Sequence, residues 1–172
     1  MPRPYSSKAV ANSIISQARL SDVEDLSPMK LQKLIYYCHA WCLALIGEPL
    51  LKDEVQAWPY GPVVPDIYYE YKNFGDQPVT AFAKELAIEN GELKLIEPII
   101  SDDDHQTLAL VGEVLSRYGH LSPIQLSNMT HQAGEPWKII ADLHPDRLPR
   151  NIIIPNELIR DCFHRLLSHA PA

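Results

Sequence analysis

Ser27-Pro28, followed by an unbroken run to Gly47 free of further glycine and proline, constrains this chain more than any other feature. Serine at a helix start accepts hydrogen bonds from backbone N–H groups that would otherwise lack partners. Proline at the first helical position forfeits no needed bond. Leu31, Leu34, Ile35, Cys38, Trp41, Cys42 and Leu45 then recur at helical spacing, and Gly47 with Pro49 ends the run. A helix this long with so wide an apolar stripe needs other elements packed against it. Lys30 and Lys33 are expected near the rim of the stripe.

The same grammar recurs along the chain. A helix is expected from near Ser6 or Ser7, burying Val10, Ile14, Ile15 and Ala18, with an acidic connection over 21–25. Ser101 ahead of Asp102, Asp103 and Asp104 reads as a capped, acid-loaded start. The helix after it carries Leu108, Val111, Leu115 and Tyr118 and closes at Gly119. Ser122-Pro123 opens a helix through Leu126 and Met129, and Glu135-Pro136-Trp137 opens another through Ile140. Asn156 is expected to cap a last helix burying Leu158, Ile159, Cys162, Phe163, Leu166 and Leu167, with a frayed tail after Ser168. Phe82 to Glu89 reads as a short helix, and Leu93 to Ile96 as a strand entered through Gly91. Asn151 to Pro155 is either a buried strand or an extended linker. The fold class expected is mainly α, a compact helical domain with a minor short β element, spanning residues 1–172 with a core of about 6–167.

Residues 50–65 break the helical rule. Val55 and Ala57 suit a short extended segment. Pro59, Pro62 and Pro65 bias Trp58, Gly61 and Val64 away from helix, and Pro65 can then start a helix through Ile67, Tyr68 and Tyr71. The loop from Trp58 to Pro65 is aromatic and stiff. Its prolines restrict the free chain, so a partner need not order it on binding, and Trp and Tyr are residues on which interfaces commonly depend. The competing reading is that Trp58 and Tyr60 cover the chain's own core.

Composition narrows the function classes. Hydrophobic residues are 46% and charged residues 22% of the chain, so it can bury a core. A net charge of −7 disfavours binding to phosphate backbones. Three cysteines and no secretory signal pattern point to a reducing cytoplasm, and no apolar stretch reaches membrane-spanning length.

Cys38, His39 and Cys42 share a helix, but zinc needs a fuller ligand set, and the cysteines fall within the apolar stripe. The three aspartates 102–104 lack a calcium-loop pattern. No nucleophile elbow, phosphate loop or HExxH run is present. The chain therefore reads as a binding module, not an enzyme, and no cofactor is implied.

Ser27-Pro28-Met29-Lys30-Leu31-Gln32-Lys33-Leu34-Ile35-Tyr36-Tyr37, Trp41, Glu48-Pro49-Leu50, Ala57-Trp58-Pro59-Tyr60-Gly61-Pro62-Val63-Val64-Pro65 and Tyr68 resemble the Panacea domain family. That family includes SocA-type antitoxins and phage-associated GepA-like proteins. The likeness continues through Tyr118-Gly119, Leu121-Ser122, Leu126-Ser127 and Thr130-His131-Gln132-Ala133-Gly134-Glu135-Pro136-Trp137. The resemblance implies a mainly helical, non-enzymatic domain. It implies a cognate protein toxin, encoded by an adjacent gene, as the partner. It leaves open whether that toxin is blocked by direct binding or delivered to a protease. Trp58, Tyr60, Gly61, Pro62 and Val63, with Lys30 and Lys33 behind them, are the expected partner-binding residues. A DNA-binding regulator with Lys30, Lys33, Arg147 and Arg150 as a patch is the third reading, against the overall charge.

Overall fold

A computed structural model describes residues 3–169. His169 is still helical, and the rest of the tail expected to fray after Ser168 lies outside the described residues. Helix α1, Ser7–Leu20, is capped by Ser6, whose side chain accepts from the Ala9 N–H. Helix α2, Pro28–Leu45, is capped by Ser27, accepting from the Lys30 N–H. It is buried on nearly all sides, far beyond the expected stripe. Its neighbours supply the reason. Helices α4 (His105–Tyr118) and α7 (Asn156–His169) flank it together with α1, and α5 (Pro123–Thr130) closes another side. Tyr37 stacks on Tyr118 at 4.3 Å, and Phe163 meets the Trp41 ring edge-on at 4.9 Å.

Between α2 and α3 (Pro65–Tyr71) lies an antiparallel hairpin, β1 (Gln56–Trp58) with β2 (Gly61–Val63). The expected aromatic loop is thus a braced turn between two short strands. The 151–155 segment lies beside β1. Ala57 N–H donates to Ile152 O at 2.9 Å and Ile154 N–H donates to Val55 O at 2.8 Å, which favours the strand reading over the linker.

A second hairpin, β3 (Glu85–Glu89) with β4 (Glu92–Ile96), replaces the helix expected over 82–89. Its pairing runs through Leu86↔Leu95 and Ile88↔Leu93. The turn at Asn90-Gly91 has positive φ at both residues, the geometry that two-residue hairpin loops require. A cross-strand ladder outweighs the weak helical spacing. Asn12, fully buried in α1, fixes the base of this hairpin. Its side chain donates to Ala83 O and Pro98 O and accepts from the Ala83 N–H.

Three local expectations also shift. Asp104, not Ser101, caps α4, because its carboxylate accepts from both the backbone and the hydroxyl of Thr107. Asn156 enters α7 as its first residue, and its side-chain oxygen pairs with His39 Nε2 at 2.9 Å. Leu166 and Leu167 are 47% and 42% exposed, since α7 runs past the end of the neighbours that cover Ile159 and Phe163. Helix α6, Pro136–Asp142, forms where expected. Among the described residues no helix is long and apolar enough to cross a membrane.

Candidate functional site

The hairpin β1–β2 is held from outside by side chains on three helices. Trp137 Nε1 of α6 donates to Trp58 O at 2.7 Å. Ser127 Oγ of α5 donates to Tyr60 O at 2.8 Å. Lys33 Nζ of α2 donates to Pro62 O at 3.1 Å. Gln32 Nε2 donates to Val64 O at 2.9 Å and its Oε1 accepts from the Val64 N–H at 3.0 Å. Every second carbonyl from 58 to 64 therefore has a side-chain donor. A two-stranded hairpin alone is marginal in water, and these bonds add to the support that the 152–154 segment gives β1.

Gly61 is where hairpin and helices come closest. Its φ is +113°, and an added Cβ would stand 2.6 Å from Thr130 Oγ1 and 3.0 Å from Lys33 Nζ. Only glycine satisfies both the backbone angle and the space. Pro62 and Val63 are buried beside it. Trp58 is half-buried, with its ring edge-on to Tyr68 at 4.9 Å and its indole N–H donated to Gln56 Oε1. Tyr60, at the tip, is 70% exposed. Of the residues expected to meet a partner, Tyr60 and Trp58 present surface.

Lys30 and Lys33 are not on the rim of α2. Both are buried, at 0% and 1% exposure. Lys30 Nζ donates to Asp25 Oδ1 and to Gly119 O, both at 2.6 Å, tying the start of α2 to the end of α4. Burial pushes the Lys33 amine down to about 7. Helical spacing alone places these lysines beside the stripe. What it misses is that the end of α4 and β2 pack over that flank and offer the Gly119 and Pro62 carbonyls to the amines. Arg147 and Arg150 lie elsewhere, beside Trp58, so the four cations expected together are split.

The other motif residues gather under the same hairpin. His131 stacks on Trp137 at 3.8 Å. Burial pushes the Glu135 carboxyl up to about 7. Tyr36 Oη, His131 Nε2 and Glu135 Oε2 are buried without a hydrogen-bond partner among the described residues. Cys38 and Cys42 are buried in the core, and among the described residues no group of three His, Cys, Asp or Glu side chains is placed to hold a metal ion.

A second surface has no counterpart among the expected sites. Leu86, Ile88, Leu93 and Leu95 share one face of β3–β4 and are 66%, 75%, 67% and 62% exposed. Directly paired residues project to the same side of a sheet. The signal available in the sequence is apolar alternation either side of Asn90-Gly91.

Residues 31–138 match the family described as Antitoxin SocA-like, Panacea domain. That span contains the whole hairpin together with Gln32, Lys33, Ser127 and Trp137. Along 162 residues the chain is 30% identical to Antitoxin SocA of Caulobacter vibrioides (strain NA1000 / CB15N), covering 94% of this chain and 84% of that protein. No solved structure matches the chain.

Proposed function

The chain belongs to the Antitoxin SocA-like, Panacea domain family, and from that premise we propose that it is an antitoxin that neutralises a cognate protein toxin by direct contact. The observation that carries the reading is Tyr60. It stands 70% exposed on a turn whose backbone is bonded at Trp58, Tyr60 and Pro62 by three separate helices. An aromatic ring on a braced turn loses little conformational freedom on binding, which is the property of an interface anchor. The chain acts by occupying its partner, in a one-to-one or fixed ratio, and not by turnover.

The toxin also covers the apolar face of β3–β4. Exposed patches of this kind mark interaction surfaces. Glu85, Glu89 and Glu92 alternate with these apolar residues and project from the opposite side of the hairpin, so the face itself offers an apolar contact to the toxin.

Co-expression with the product of the adjacent gene tests the proposal. A stable complex that restores growth supports it, and absence of both complex and rescue rejects it. Toxin half-life in the same cells separates blocking, which leaves it unchanged, from delivery to a protease, which shortens it.

A further inference from the structure

A cleft of about 810 Å³ opens beside the braced hairpin, between β1, the end of α3 and the 147–151 segment. One wall is aromatic. Trp58 meets Tyr68 edge-on at 4.9 Å, Tyr68 meets Tyr69 at 5.3 Å, and Lys72 Nζ stands 5.3 Å over the Tyr69 ring. Tyr68 and Tyr69 are 41% and 60% exposed, so their rings are available to a ligand. The floor is fixed, because the Trp137 indole donates to Trp58 O.

The facing wall is cationic. Arg147 and Arg150 line it, and Lys72 on the aromatic side completes the set of cations. No carboxylate is among the lining residues. Among the described residues none of the three has a carboxylate within 4.0 Å, while most of the other surface arginines are tied to acids: Arg3 to Glu48 and Asp104, Arg117 to Glu113 and Arg160 to Asp161. The nearby Glu70 is taken by Lys8 at 3.0 Å. In a chain of net charge −7, three unpaired cations around one aromatic cleft form a local inversion of sign.

We infer that this cleft binds a free nucleotide, with the base against Tyr68 and Tyr69 and the phosphates on Arg147, Arg150 and Lys72. Three features select that ligand class. Exposed aromatic rings stack on any nucleobase. Guanidinium forks match phosphate oxygens two at a time. The volume falls within the roughly 300–1,000 Å³ of small-molecule sites, which suits one nucleotide. A long polyanion would run beyond the cations onto an acidic surface, so the free nucleotide is favoured over a nucleic-acid strand. The site lies against Trp58, and a bound nucleotide would change the surface beside Tyr60.

Isothermal titration calorimetry on the full chain at moderate salt, without added divalent metal, tests the inference. The probes are ATP, GTP, adenosine, tripolyphosphate, an eight-nucleotide single-stranded RNA and a poly-glutamate peptide. Expected is saturable binding of ATP or GTP, with adenosine and tripolyphosphate each about tenfold weaker, since each supplies half of the contacts. Arg147→Glu with Arg150→Glu is expected to weaken the nucleotide about tenfold or more. Lys52→Glu with Lys84→Glu, which changes net charge equally at exposed positions outside the cleft, leaves affinity within about twofold. Tyr69→Ala weakens ATP but not tripolyphosphate. Unchanged melting temperatures show that the variants fold. No saturable nucleotide binding overturns the inference. So does tripolyphosphate binding as tightly as ATP, RNA or poly-glutamate binding about tenfold more tightly than ATP, or equal loss in both charge variants.

Discussion

Lys33 reaches from the buried flank of α2 to donate its amine to Pro62 O, 3.1 Å away, on the strand that follows the exposed Tyr60. The side chain is buried, and burial pushes the amine down to about 7. A neutral amine still donates a hydrogen bond, so Lys33 can brace the hairpin without carrying a full charge into the core. The lysine thereby joins α2, the longest helix among the described residues, to a turn that presents an aromatic ring to solvent. Its neighbour Gln32 fixes Val64 by two bonds, so two adjacent residues of α2 hold the whole second strand.

That contact makes Gly61 intolerant of a side chain. Gly61→Ala must move Thr130 Oγ1 or Lys33 Nζ, and it places a Cβ on a backbone angle that favours glycine. Strain of this kind costs roughly 1–3 kcal/mol, before any loss of the Lys33 bond. The expected result is a melting temperature lowered by about 2–12 °C for a chain of this size. A melt indistinguishable from the parent would show that the hairpin shifts freely on its braces.

Stability should respond to pH through Lys33 and Glu135 in opposite senses. Lys33 has a folded value of about 7 against an ordinary 10.5, so above pH 7 the unfolded chain holds the extra proton and stability rises toward pH 10.5. Glu135 has a folded value of about 7 against 4.5, so between those values the folded chain holds the extra proton and stability falls as pH rises. Lys33→Met should remove the rise between pH 7 and 10.5, and Glu135→Gln should remove the fall between 4.5 and 7. Denaturant melts of parent and variants across that range measure both. Parallel curves would mean that neither group is held as buried as the structure places it.

Three of the helix starts were legible in the sequence because each is a local event. Ser6, Ser27 and Ser122 cap as their side-chain chemistry dictates, and a proline follows two of them. The β3–β4 hairpin was not legible as a unit. Its first strand carries a pattern shared with a short helix, and pairing with residues 92–96 decides between them. The hairpin at 56–63 was visible as stiff and aromatic, but not as braced, since Ser127 and Trp137 reach it from about seventy residues away along the chain. The burial of Lys30 and Lys33 is the sharpest departure. Charge alone predicts a surface, whereas carbonyls at Gly119 and Pro62 provide acceptors inside.

Tyr60→Ala separates the hairpin's role as scaffold from its role as contact. The ring is 70% exposed, and the bond that fixes this residue uses its backbone carbonyl. The melting temperature should therefore stay within about 1–2 °C, the range of ordinary surface substitutions. If the ring anchors the toxin, affinity should fall by about 2 kcal/mol or more, roughly thirtyfold. Titration of the purified toxin against parent and variant reads this directly. Equal affinities would move the contact off this turn.

The apolar face of β3–β4 makes a distinct prediction, because its side chains are not needed to fold the rest of the chain. Asn12 holds the base of the hairpin through backbone groups at 83 and 98, and these remain when the face is altered. Replacing Ile88 and Leu93, a directly paired couple, by threonine keeps strand propensity while removing apolar area. The free chain should melt within a few degrees of the parent and stay soluble at higher concentration, as expected when an exposed apolar patch is reduced. Its affinity for the toxin should drop by about 1–3 kcal/mol, the scale of two exposed aliphatics becoming buried. Sedimentation of the free chain supplies the control. If the parent dimerises and the variant does not, while toxin binding is unchanged, the face belongs to a second copy.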